Sequence, residues 1–249
     1  MPWAESRSPG FTARHAERDA DDAIAVLELL ENTRERLTGV IPGLPSHLEV
    51  IVHSSNMQLT VALPSFRMIR RLTAPAARRY VGGWFTASEI HLLAPRLLAT
   101  RASSVPGSRE MLMLTPAALY TQLTIGLASP LLPPPLRPWG IRAYRRWAWL
   151  GAGAGAWLSG QTAHARPAIA RRLHEGRPPN FPPNARDAPL LGGTIFDLLA
   201  REEGEAAAVR LALKPAGSPL QALRAAFPGR DLVHTEGAWR GHLSRLASI

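Results

Sequence analysis

The side chains able to ligate a metal or carry an acyl group are few in this chain and poorly spaced for either task. Eight histidines stand at His15, His47, His53, His91, His164, His174, His234 and His242. No two are four residues apart, the spacing that aims both imidazoles from one helical face at a single ion. His47 and His53 are the closest in sequence. His234 and His242 could share a helix face near Glu236, and solvated surface histidines are the plainer reading there. The chain has no cysteine, which excludes disulfides, thiolate zinc sites and cysteine nucleophiles. No Gly-x-Ser-x-Gly elbow is present. Asp187, Asp197, Glu202 and Glu203 supply carboxylates without a spacing that predicts a pair across a cleft. No cofactor fingerprint occurs.

The elements that would have to position any site lie between Leu119 and Trp157. Leu119 to Leu127 is apolar at helical spacing, and Trp147 to Ser159 is a second helix rich in small residues. On pattern alone these are two buried core helices. Gly151-Ala152-Gly153-Ala154-Gly155-Ala156 is a poor helix in isolation, since each interior glycine costs ~1 kcal/mol. It therefore requires a close neighbour. It is not a phosphate loop, having neither a preceding strand nor the Lys-Ser/Thr that follows one. Five prolines between Ser129 and Gly140 make a stiff connector. Arg142, Arg145 and Arg146 open the second helix, interleaved with Trp147 and Trp149. That texture suits a nucleic-acid surface, but a helix that buries tryptophan and solvates arginine is preferred.

Leu119-Tyr120-Thr121-Gln122-Leu123-Thr124-Ile125 and Trp149-Leu150-Gly151-Ala152-Gly153-Ala154-Gly155-Ala156-Trp157 together resemble the two active-site helices of gluzincin metallopeptidases, specifically the peptidase MA-like family. That family carries His-Glu-Leu-Thr-His on the first helix and Trp-Leu-x-Glu-Gly-x-Ala-x-Tyr on the second. The resemblance implies that Gln122 stands at the general base, Thr121 and Ile125 at the two histidines, and Ala152 at the third ligand. A second frame puts Leu119 and Leu123 at the histidines and Tyr120 at the base. In either frame no side chain can hold zinc and none can take a proton near neutrality. The resemblance thus implies a vestigial site without zinc, and places Tyr120, Trp149, Trp157 and His91 on the lining of the former cleft.

The rest of the chain predicts an α+β protein, with a small N-terminal sheet packed on a predominantly helical, gluzincin-like domain. Residues 1–20 read as a flexible polar arm. Residues 21–249 then form one domain, sheet-containing to about residue 110 and helical from about 111. Ile24, Leu27, Leu30 and Leu37 recur at helical spacing after Asp19, Asp21 and Asp22, and Gly39 closes the helix. Leu48 to His53 is a β-branched strand, and Met57 to Leu63 a short helix stopped by Pro64. Tyr80–Phe85 and Glu89–Leu93 are two strands joined by Thr86-Ala87-Ser88. Val81-Gly82-Gly83 and Ile90-His91-Leu92 match the texture of the family's sheet. His91, read by itself, is a strand histidine satisfied by a backbone carbonyl. Gln161 to Leu173 reads as a basic helix carrying Arg166, Arg171 and Arg172. Glu203-Gly204-Glu205, Ala222-Leu223-Arg224 and Glu236-Gly237-Ala238-Trp239 also match the family in order.

The formal net charge is +10, and Lys214 is the only lysine. Such a balance can signal nucleic acid or an anionic surface. An Arg- and Ala-rich, Lys-poor composition also follows from a GC-rich coding sequence, which weakens that inference. Arg67, Arg70, Arg71, Arg78 and Arg79 make the densest basic cluster of the first half, and a solvated face is the preferred reading. The longest apolar segment, Trp147 to Gly160, falls short of the ~20 residues that cross a bilayer. No signal-peptide core is present. The expectation is a cytoplasmic pseudoenzyme that binds or scaffolds a protein or peptide, without membrane contact. The rivals are an active zinc metallopeptidase with other ligands and an arginine-rich nucleic-acid module.

Overall fold

The computed structural model describes residues 3–129 and 138–248, side chains at positions 65, 138–141, 143 and 144 apart. The protein is α+β. Strands β1 (Trp3–Arg7), β2 (Phe11–Ala16), β3 (Leu48–His53), β4 (Gly83–Phe85) and β5 (Glu89–Leu93) form one mixed sheet in the order β1-β2-β3-β5-β4. The three central strands β2, β3 and β5 are parallel, and β1 and β4 run antiparallel at the two edges.

The hairpin β1–β2 corrects the expectation of a flexible arm over residues 1–20. Phe11, Ala13 and His15 are buried while Thr12 and Arg14 point outward, a period-two strand. Only Phe11 among the inward residues is large and apolar, so the alternation carries little hydrophobic signal. Phe11 packs edge-on against Tyr120, ring centroids 5.2 Å apart.

Helix α1 (Ala20–Thr38) follows, and its stripe of Ala23, Val26, Leu27, Leu30 and Leu37 covers one face of the sheet. The chain continues through α2 (Asn56–Ala62), α3 (Pro64–Leu72), α4 (Pro75–Arg78), α5 (Pro95–Ala99) and α6 (Ser108–Met113). Leu59, Leu63, Phe66 and Ile69 of α2 and α3 meet Leu93 on the opposite face of the sheet. The central strands are thus buried on both sides, as parallel strands must be.

Helix α7 (Thr115–Ala128) lies beside α1 on the first face and touches β4 and β5. Pro116 sits in its first turn, where a missing N–H is harmless. Of the expected proline connector, residues 130–137 lie outside the described residues, and Pro138 already belongs to α8 (Pro138–Leu158). Along α8, Arg142, Arg145 and Arg146 are exposed while Trp147 and Trp149 are buried. The remaining helices are α9 (Arg166–Leu173), α10 (Ala188–Glu203), α11 (Glu205–Leu213), α12 (Pro219–Ala226) and α13 (Leu232–Ala247).

The glycines of α8 meet the neighbours they require. A Cβ on Gly153 would lie 2.5 Å from the carbonyl carbon of Gly192 in α10, and one on Gly155 would lie 2.9 Å from Ala118 O in α7. Both contacts are with backbone, so α8 is held between α7 and α10 at distances only glycine permits. Trp239 of α13 closes the far side, its indole N–H donating to Thr194 Oγ1 at 2.8 Å. One core runs from Phe11 to Leu246. Among the described residues no helix is long and apolar enough to cross a membrane.

Candidate functional site

Where β4, α7 and α8 meet, they enclose a cavity of about 40 Å³. One stripe of α7 faces it, formed by Thr115, Ala118, Leu119 and Gln122 at the i, i+3, i+4, i+7 spacing of a helix face. Ala152 of α8 faces the same space, as do Gly82, Gly83 and Trp84 at the sheet edge. A Cβ on Gly83 would meet His91 O at 2.5 Å and Leu119 Cδ1 at 2.7 Å, so glycine lets the edge strand approach α7.

The polar equipment of the cavity is amides and hydroxyls. Gln161 donates through Nε2 to Met111 O at 2.7 Å, and the buried Thr115 hydroxyl has no partner. At roughly 10–15 Å³ per water centre, about three waters fit. Gln122 and Ala152 both line this cavity. Thr121 and Ile125 are not among the lining: both are fully buried, and Thr121 Oγ1 donates to Ala117 O at 2.8 Å. The residue that shares this cavity with Gln122 at an i, i+4 spacing is Ala118. Of the positions in the two frames expected from the sequence, Leu119, Gln122 and Ala152 line this cavity, and Tyr120, Thr121, Leu123 and Ile125 do not.

None of the four expected cleft-lining residues borders the cavity. Tyr120 points the other way, into the core against Phe11, and burial pushes its phenol up to about 12. Trp149 and Trp157 pack on Phe196 of α10, at 6.4 and 6.1 Å between ring centroids. His91 lies on the opposite face of the sheet with His53. Its partners are not the expected backbone carbonyl. His91 Nε2 donates to Glu89 Oε2 at 3.1 Å, which leaves Nδ1 to accept from His53 Nε2, also at 3.1 Å. The imidazoles stack with 14° between planes, and His53 Nδ1 is buried without a partner.

Burial, and next the charge of His91, lower the pKa of His53 to about 4. Unfolded, the same group titrates near 6.5. Between those values the unfolded chain holds more protons, so stability is full above pH 6.5 and falls toward pH 4, by up to ~3 kcal/mol. Urea midpoints measured across that window should drop in the wild type, and His53→Phe should flatten the slope. An equal slope in the variant would show that another group is responsible.

A second polar cluster sits at the carboxyl ends of the parallel strands. Asp19 is fully buried and accepts from Ser54 Oγ and from both Nε (3.0 Å) and Nη2 of Arg96. Burial alone would raise Asp19, but the Ser54 and Arg96 hydrogen bonds and the arginine charge outweigh it and hold the carboxyl below its usual range. Arg96 also reaches Asp22 at 3.3 Å. The cluster ties the start of α1 to the ends of β3 and β5. From sequence, Asp19 looked only like a helix-terminal acid, and nothing linked it to Ser54 or Arg96. His242, expected on the surface, is instead buried against Asp197 at 2.8 Å, whereas His234 is exposed beside Asp231.

Among the described residues, no group of three or more His, Cys, Asp or Glu is placed to hold a metal ion. The lining of the α7–α8 cavity contains no histidine, aspartate or glutamate, so it does not fit zinc. Comparison of the chain with protein-family models, with curated proteins and with solved structures finds no match.

Proposed function

We propose that this chain is a catalytically inactive, metallopeptidase-like protein with a scaffolding role, resembling the peptidase MA-like gluzincins. One observation carries the reading. Two helices consecutive among the long core elements, α7 and α8, present Ala118, Gln122 and Ala152 to one cavity beside an edge strand. An i, i+4 pair on one helix and a single residue on the next is the geometry of a two-histidine, one-glutamate zinc site. The close approach of α8 to α7 at Gly155 supports that arrangement, and none of the three side chains is a histidine or a carboxylate that would ligate zinc. The cavity volume favours scaffolding over capture of an extended peptide, since about 40 Å³ admits water and no polypeptide.

An active zinc metallopeptidase using other ligands would need them assembled elsewhere, and the described residues offer no such group. Protein purified without chelator should contain zinc far below one ion per chain and should not hydrolyse casein. Stoichiometric zinc together with chelator-sensitive hydrolysis would overturn the proposal.

A further inference from the structure

The strongest unassigned feature is a patch on α2, α3 and α4 that has nothing to do with the α7–α8 cavity. Residues 50–88 contain no aspartate or glutamate, yet they carry Arg67, Arg70, Arg71, Arg78 and Arg79. Thr60, Arg67, Arg70, Arg71 and Arg78 line one open pocket of about 190 Å³. No carboxylate reaches it: among the described residues these four arginines form no ion pair. Arg78 Nη2 donates to Thr73 O at 3.2 Å, and Arg70 lies over the Phe66 ring at 5.9 Å. Burial and then the neighbouring Arg78 lower the pKa of Arg70; burial and then Arg70 lower that of Arg101 to about 10. The cations press on one another with no countercharge supplied by the protein.

The same helices expose large apolar side chains. Met57 and Val61, one turn apart on α2, are 76% and 75% exposed, and Met68 and Leu72, one turn apart on α3, are 39% and 42% exposed. Arg67 and Arg71 lie immediately beside Met68 and Leu72 on the α3 surface. A solvated basic face would not need these four. None of them lines the arginine pocket.

We propose that the α2–α4 patch binds the surface of an anionic phospholipid bilayer, with arginines on the lipid phosphates and Met57, Val61, Met68 and Leu72 among the acyl chains. Projecting aliphatic side chains beside unpaired arginines are what an interfacial helix presents to lipid. A nucleic acid would instead call for aromatic platforms beside the arginines, and Phe66 is fully buried. A fluid bilayer accepts protruding side chains without a preformed groove. The contact is with a membrane surface, so it departs from the expectation of no membrane contact, and it needs no span, in keeping with the absence of a spanning helix among the described residues. It does not depend on the pseudoenzyme reading.

Flotation of the full chain with phosphatidylcholine vesicles, and with vesicles containing phosphatidylserine, tests this. Binding should require phosphatidylserine and weaken as salt is raised. Each surface arginine contributes about fivefold near an anionic leaflet, so Arg67→Gln/Arg71→Gln should lose about twenty-five-fold. Met57→Ser/Val61→Ser should also weaken binding severalfold, with unchanged thermal unfolding in both variants. Equal partitioning onto the two vesicle types would overturn the proposal, and so would serine-lipid binding that both double variants retain. Binding of duplex DNA through Arg67 and Arg71 with no vesicle binding would assign the patch to nucleic acid instead.

Discussion

Gly153→Ala is expected to destabilise the protein by about 1–2 kcal/mol, and Gly153→Leu to prevent a stable fold. The new methyl group would lie 2.5 Å from the Gly192 carbonyl carbon and 2.6 Å from its oxygen. Neither atom can swing aside as a side-chain tip would, so α8 and α10 must separate. Overpacking of that kind typically costs about 1–3 kcal/mol, from which alanine's helical preference returns up to ~1 kcal/mol. Gly192→Ala should behave alike, because its Cβ would meet Trp149 O at 2.6 Å. The internal control is Gly151→Ala on the same helix. Nothing lies within 4 Å of its Cβ, and the substitution should stabilise by up to ~1 kcal/mol. Urea midpoints at constant slope provide the comparison. Equal effects at Gly151 and Gly153 would mean that the helices do not cross at Gly153.

The second large effect is expected at a charge pair buried beneath α9. Arg172 and Asp187 side chains are each 2% exposed, and the guanidinium donates to the carboxylate through Nε at 2.6 Å and Nη2 at 2.9 Å. Arg172 Nη1 also donates to Arg177 O at 2.9 Å. The hydrogen bond with Asp187 raises the guanidinium's pKa further. The pair fastens α9 to the residue preceding α10. Removing one partner strands the other charge in the interior, so Arg172→Leu or Asp187→Leu should each cost about 3–5 kcal/mol. The double Leu substitution should cost clearly less than the sum of the two. Additive losses would show that the two residues act independently.

Both effects bear on what the sequence could reveal. The demand for a close neighbour at Gly151–Ala156 was legible, since glycine in a helix interior is costly unless something needs the space. Which helix supplied that neighbour was not: Gly192 and Gly193 lie in an apolar run with no feature marking a crossing. Periodicity located α1, and continuous apolar or β-branched runs located β3, β5, α7 and α8. The β1–β2 hairpin escaped notice because its inward side chains are mostly small or polar. Arg172, by contrast, was read with Arg166 and Arg171 only as part of a basic helix. Only the fold brings Asp187, fifteen residues on, against it.

The α7–α8 site was legible in its elements and not in its rotation. Nearly every residue from Thr115 to Ile125 is buried. A helix apolar all round gives no moment from which to read the face turned toward a neighbour. Gln122 and Ala152 line one cavity, while Thr121 and Ile125, the other positions of the first frame, are buried away from it. Thr121 lies roughly 100° from Gln122 and bonds its own helix backbone.

Zinc analysis of a chain with the ligands restored on the observed face tests the inactive-metallopeptidase reading most directly. Ala118→His/Gln122→His/Ala152→Glu, folded by circular dichroism, should acquire about one zinc per chain, the ligand set of a gluzincin. The same substitutions on the neighbouring face, Thr121→His/Ile125→His/Ala152→Glu, should acquire none and should be less stable, because both positions are fully buried away from the cavity. A folded Ala118/Gln122/Ala152 variant that binds no zinc would contradict the reading, as would zinc binding confined to the Thr121/Ile125 variant.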